Sequence, residues 1–70
     1  MSYREAAAEL VEVNVTFLFR HGQAVRIEDA DGKKHWLPVR ECTLDPADPD
    51  RNDPVTISMP EWLATKEGLV

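Results

Sequence analysis

Over residues 11–20 the chain alternates between apolar and polar side chains with a period of two. Val11, Val13, Val15, Phe17 and Phe19 fall on one face, Glu12, Asn14, Thr16 and Arg20 on the other, and Leu18 alone breaks the rhythm. Carried by β-branched and aromatic residues, that alternation predicts a half-buried strand. Arg20-His21-Gly22-Gln23 reads as a turn, and Ala24–Glu28 as a second strand with Val25 and Ile27 inward. Asp29-Ala30-Asp31-Gly32 is a second turn, since Asp-Gly favours a tight hairpin. Residues 33–37 form a third strand, ended or confined to a sheet edge by Pro38, which has no N–H to give a ladder.

Residues 39–44 fit a single helical turn followed by a short strand, although the pattern alone leaves this open. Residues 45–54 hold Pro46, Pro49 and Pro54 among aspartates and Asn52, a composition that blocks helix and ladder and favours turns. So long a loop in so small a domain is expected to be mobile, functional or both. Residues 55–59 alternate again as a fourth strand. Ser58-Met59-Pro60-Glu61 fits a capping box ahead of a short helix over residues 61–67. Lys66 suits that helix's C-terminus, Gly68 its left-handed closing position, and Leu69 can fold back onto the last turn. At the N-terminus, Ser2-Tyr3-Arg4-Glu5 and Ala6–Ala8 favour helix. A helix this short is unstable alone, so residues 1–10 are expected to be a frayed turn or mobile arm.

Four or five short strands and a C-terminal helix make a β-rich α+β domain over residues 11–70. A flat sheet of this size would leave both edges and one face wet. A curled antiparallel sheet, an SH3-like or OB-like partial barrel, answers both problems. The expected core is Val13, Val15, Phe17, Val25, Ile27, Trp36, Leu37, Val55, Ile57 and Leu63.

Length and charge narrow the function. Seventy residues allow one domain, and the 43% hydrophobic fraction is too high for a fully disordered chain. A single cysteine excludes an internal disulfide framework and a cysteine-based zinc cluster. No apolar run approaches the length of a membrane span, and no signal-peptide core follows Arg4 and Glu5, so a cytoplasmic location is expected. Thirteen acidic residues face eight basic ones, a net charge of −5, most of it beyond residue 44. This opposes non-specific nucleic-acid binding and favours a basic protein surface as partner; solubility alone is the plainer account of the charge.

Candidate chemistry is sparse. Cys42 with His35 or His21 is the one formal nucleophile–base set, and a structural cysteine is the simpler account. The histidines and Cys42 lack the close pairing of zinc ligands. Asp45, Asp48, Asp50 and Asp53 suggest an oxygen cage, but no glycine permits the sharp turn of a calcium loop and no glutamate closes it. No metal or cofactor is therefore expected, and no enzyme, because a fold this small offers no deep cleft. Two binding surfaces remain. One is the acidic loop Asp45, Asp48, Asp50 and Asp53, with Trp62 and Trp36 as candidate hot spots. The other is a basic patch of Arg20, Arg26, Lys33, Lys34 and Arg40 around Trp36, which would suit nucleic acid.

Several segments carry a resemblance: Gln23–Ile27, the Asp31-Gly32 turn, Trp36-Leu37-Pro38, Met59-Pro60-Glu61-Trp62-Leu63-Ala64, and the closing Lys66-Glu67-Gly68-Leu69. Together they resemble a group of short, uncharacterised phage and prophage proteins. After Trp-Leu-Pro that group often has Lys-Ser, where this chain has Val39-Arg40. The resemblance covers roughly residues 11–44 and 55–70 and implies a phage context and a small barrel. Small acidic proteins of that context often occupy basic surfaces of host machinery, CRISPR effectors included. The expected function is thus a non-enzymatic acidic module that binds a host protein or nucleoprotein machine. The alternative is a nucleic-acid-associated barrel accessory to phage replication or recombination.

Overall fold

The computed structural model describes residues 9–70. The N-terminal arm expected from the sequence falls, up to residue 8, outside the described residues. Five strands form one antiparallel sheet: β1 (Leu10–His21), β2 (Ala24–Glu28), β3 (Lys34–Pro38), β4 (Thr43–Asp45) and β5 (Pro54–Pro60). Their order is β3-β2-β1-β5-β4. A 3-10 turn over Val39–Glu41 joins β3 to β4, and a short helix, α1 (Glu61–Lys66), follows β5 without a break. The fold is small α+β, and its sheet stays open, with β3 and β4 as the edges.

The long central strand divides its two sides between different neighbours. Leu10 to Thr16 pair with β5, and Thr16 to His21 pair with β2. Phe17 lies opposite Ile27 and Phe19 opposite Arg26, so Leu18 is an extra residue, a β-bulge. The break in alternation noted at Leu18 is this bulge. It overturns the expected placement of Phe19 with Val11–Phe17. One inserted residue shifts the pairing beyond it, so Arg20 lies opposite core-facing Val25 and Phe19 is 40% exposed.

The inward face is filled by Val15, Phe17, Val25, Ile27, Leu37, Val55, Ile57 and Met59, and α1 lays Leu63 and Ala64 on it. Val13 packs at the margin of this cluster. Trp36, expected in the core, is 44% exposed. Side chains alternate across a strand, and Leu37, opposite Val25, takes the inward position. Leu18, Met59 and Ala64 are buried without having been expected there.

The connections follow from their residues. In the β2–β3 turn the Asp29 carbonyl accepts from Gly32 N–H at 3.0 Å, and the Lys33 carbonyl accepts from Asp29 N–H at 2.8 Å. Gly32 has φ +82°, the left-handed region that a three-residue hairpin loop requires. At the end of α1, Gly68 at φ +75° donates to Thr65 O and Leu69 N–H to Ala64 O. This is a Schellman motif, and it returns Leu69 to the core. The capping box expected at Ser58 does not form: Ser58 is engaged in the ladder opposite Glu12 and Thr43, and β5 runs on to Pro60. Pro60 is the N-cap and makes no side-chain bond; Glu61 N–H donates instead to the Glu9 carbonyl at 2.8 Å.

The proline-rich loop is tied down just before β5 begins. Asn52, at φ +70°, donates to Phe17 O at 2.7 Å, and Phe17 N–H donates to Asp53 O at 2.9 Å. The loop thereby carries on the pairing of β1 past Pro54, beside the bulge.

Ile57 is wholly buried at mid-sheet, opposite Val13 and Leu44. Ile57→Val is expected to cost about 1 kcal/mol, read as a lower urea midpoint with an unchanged slope.

Candidate interaction surfaces

The bulge and the β2–β3 register place three side chains in one row across the outward face. Phe19 lies opposite Arg26, and Arg26 opposite Trp36. The Arg26 guanidinium stands 5.0 Å from the centre of the Trp36 ring. The Phe19 ring meets Trp36 edge-on, with centroids 5.6 Å apart and planes at 79°. Arg51, from the acidic loop, reaches over the other side of the row to 5.8 Å from the Phe19 ring. Each contact is within the range of an attractive cation–π or edge-to-face interaction. Lys34, two residues before Trp36, shares its side of β3 and lies opposite Glu28.

The remaining basic residues of the expected patch lie elsewhere. Arg20 is on the core-side register and lines a cleft of about 80 Å³ with Phe17, Val25, Leu44, Ala47, Asp48 and Pro49. Lys33 belongs to the β2–β3 turn, and Arg40 projects from the 3-10 turn. Of the five, then, the structure brings Arg26 and Lys34 to Trp36. It adds Phe19 and Arg51, which sequence reasoning missed. Leu18 was the signal for Phe19, because an interrupted alternation marks a change of face. Nothing local pointed to Arg51, whose position depends on a contact across the fold.

The acidic segment divides in two. Asp45, Asp48 and Asp50 are exposed. Asp53 is half-buried, and its carboxylate accepts from Asp50 N–H at 2.9 Å, closing the turn from within. Among the described residues no lysine or arginine lies within ion-pair distance of any of the four; the ion pairs present both belong to His35. Trp62 projects from α1 and is 49% exposed, while its neighbour Leu63 is buried.

His35 is held between two carboxylates, Nε2 at 2.8 Å from Asp29 Oδ2 and Nδ1 at 3.2 Å from Glu67 Oε1. A neutral imidazole has one N–H, so both contacts are hydrogen bonds only when the ring carries two protons. The cluster fastens the end of α1 to the β2–β3 turn. Asp29 Oδ1 also accepts from Asp31 and Lys33 N–H at 2.8 and 2.9 Å. The bond to His35, and then those backbone donors, hold the Asp29 carboxyl below its ordinary 3.8. Among the described residues neither histidine is hydrogen-bonded to Cys42. Cys42 is half-buried, and burial, reinforced by the neighbouring Glu41 carboxylate, pushes its thiol up to about 11. Such a thiol is protonated at neutral pH and a poor nucleophile.

A second cleft, of about 120 Å³, lies between Val13, Asn14, the Asp29–Asp31 turn and Leu69. Like the first, it is well below the size of common small-molecule sites. Among the described residues, no three His, Cys, Asp or Glu side chains converge as a metal-ligand set. No helix in that part of the chain is long and apolar enough to cross a membrane. Neither family models, nor curated proteins, nor solved structures give a match to this chain.

Two measurements check these assignments. Because folding depresses the Asp29 pKa, its contribution to stability is full above about pH 3.8 and is lost as the pH falls through the lower folded value. The stability advantage of the parent over Asp29→Asn should therefore be largest near neutrality and shrink below pH 3.8 in an acid titration followed by circular dichroism. For Cys42, a rise from 9.0 to about 11 lowers the thiolate fraction about a hundred-fold at pH 7–8. Iodoacetamide should label the folded chain correspondingly more slowly than the chain in urea.

Proposed function

We propose that this chain is a non-enzymatic acidic binding module, built as a small SH3-like or OB-like partial barrel. It occupies a basic surface of a protein or nucleoprotein machine, in the manner of small phage proteins that block host machinery such as CRISPR effectors. The observation that carries this reading is the position of Arg51. It is the only cation within residues 45–54, and its guanidinium lies over the Phe19 ring and not against an aspartate. Asp45, Asp48 and Asp50 stay exposed, and although Asp48 shares a cleft with Arg20, among the described residues none of the three is within ion-pair distance of a lysine or arginine.

The backbone supports the same reading. The loop is anchored to Phe17 at Asn52 and Asp53, and Asp53 spends its carboxylate on the turn. Three outward carboxylates on an anchored segment lose less entropy on docking than they would on a free one. Charges so displayed steer encounter with a basic groove and accelerate association more than they deepen affinity.

The test replaces Asp45, Asp48 and Asp50 by asparagine and leaves Asp53 in place. A partner is first captured from the phage host with the intact chain, and its association with both forms is then timed. At low salt the triple variant is expected to associate about ten-fold more slowly, and raising the salt should slow the parent toward it. Stability should change by less than about 1 kcal/mol, since the three carboxylates are exposed. Equal association rates with equal salt dependence would overturn the reading.

A further inference from the structure

We propose that the outward row of Phe19, Arg26 and Trp36, flanked by Lys34 and Arg51, binds single-stranded nucleic acid. Bases stack on the aromatic rings, and phosphates meet the cationic groups. The proposal uses the opposite kind of charge from the acidic segment's docking and shares Arg51 with it.

Three features of the row carry it. First, it is exposed: Trp36 and Phe19 are 44% and 40% accessible, and among the described residues no helix lies over this sheet face, since α1 packs on the inward side. Second, the row is pre-arranged. The T-shaped Phe19–Trp36 pair and the Arg26 stack fix both rings before any ligand arrives, so little side-chain freedom remains to be lost. Third, the charge is complementary. Arg26 and Arg51 stand over the rings, and Lys34 follows on the same side of β3, opposite the Glu28 carboxylate; of the two aspartates beside Arg51 in the chain, Asp53 is turned to the Asp50 N–H. In a chain of net charge −5, a local excess of cations beside exposed aromatics is the combination that single-strand binders use. A duplex keeps its bases stacked on one another and offers no ring to Trp36, so the single strand is the form that fits. Two rings provide for one or two bases, and the interaction is correspondingly weak and sensitive to salt.

The experiment makes Trp36 the sole tryptophan through Trp62→Phe, a change at an exposed position of α1. Oligothymidylate is then titrated against the emission of Trp36. Saturable quenching is expected at 50 mM salt. Three cations give a logarithmic salt slope of about −2, an affinity loss of about fifteen-fold by 200 mM. Arg26→Gln should make that slope shallower by about 0.7. Trp36→Leu, followed by the anisotropy of a labelled oligonucleotide, should weaken binding about ten-fold or more. Should Trp36→Leu fail to keep the parent's circular dichroism, the Arg26→Gln slope decides. The proposal is overturned by the absence of quenching at low salt, or by equal quenching with heparin, which has charge but no bases. It is equally overturned by a change in emission on concentrating the protein alone, which would make a second copy the occupant. An unchanged affinity in a folded Trp36→Leu variant would do the same.

Discussion

The single extra residue in β1 is the constraint on which the other parts depend. A strand of twelve residues serving β5 over its first half and β2 over its second would present one continuous apolar face if its alternation were unbroken. Leu18 interrupts it, and the pairing passes from Phe17–Ile27 to Phe19–Arg26. The first half of the strand thereby faces the core, while the second turns an aromatic ring to the outside. The bulge also explains how the proline-rich loop is held. β5 stops pairing at Thr16, so the Phe17 N–H and carbonyl on that side need partners, and Asp53 and Asn52 supply them.

From that anchoring follows the distribution of charge. Fixing Asn52 beside Phe17 sets Arg51 close to Phe19, and the guanidinium settles over the ring. A contact between one loop residue and one strand residue thus separates the chain's charges. Carboxylates remain on the loop, and a cation joins Arg26 and Lys34 on the sheet face. Burial on the inward side is a distinct matter, governed by the alternation of β2, β3 and β5 and by two side chains of α1. The exposed aromatic row and the core therefore lie on opposite faces of the same strands.

Much of the fold was legible in the sequence, because it is written in short-range patterns. The alternation of residues 11–17, 24–28 and 55–59, the Asp-Gly turn, and Gly68 with Leu69 all depend on neighbours close in the chain, whereas the pattern left the 3-10 turn after Pro38 open. The errors came where two local rules competed. Ser58 satisfies a capping signal, but its N–H and C=O belong to a strand with partners on both sides, and the ladder prevailed. Trp36 and Leu37 are both apolar, yet a strand can send only one of two neighbours inward. The register with Val25 chose Leu37. The outward row was legible only as a basic patch around Trp36, because its other members meet across long sequence separations.

His35 shows how a residue without evident chemistry can act in the architecture. α1 has only six residues, too few to persist on its own helical bonds. It is held by Leu63 and Ala64 in the core, by Glu9 at its start, and at its end by Glu67, whose carboxylate accepts from His35 Nδ1. The other ring nitrogen of His35 reaches Asp29, whose second carboxylate oxygen organises the β2–β3 turn. One imidazole thus ties the helix to the hairpin that carries Arg26 and Trp36. The helix packs against β1 and β5 on the inward side, so that among the described residues no helix lies over the outward row of Phe19, Arg26 and Trp36.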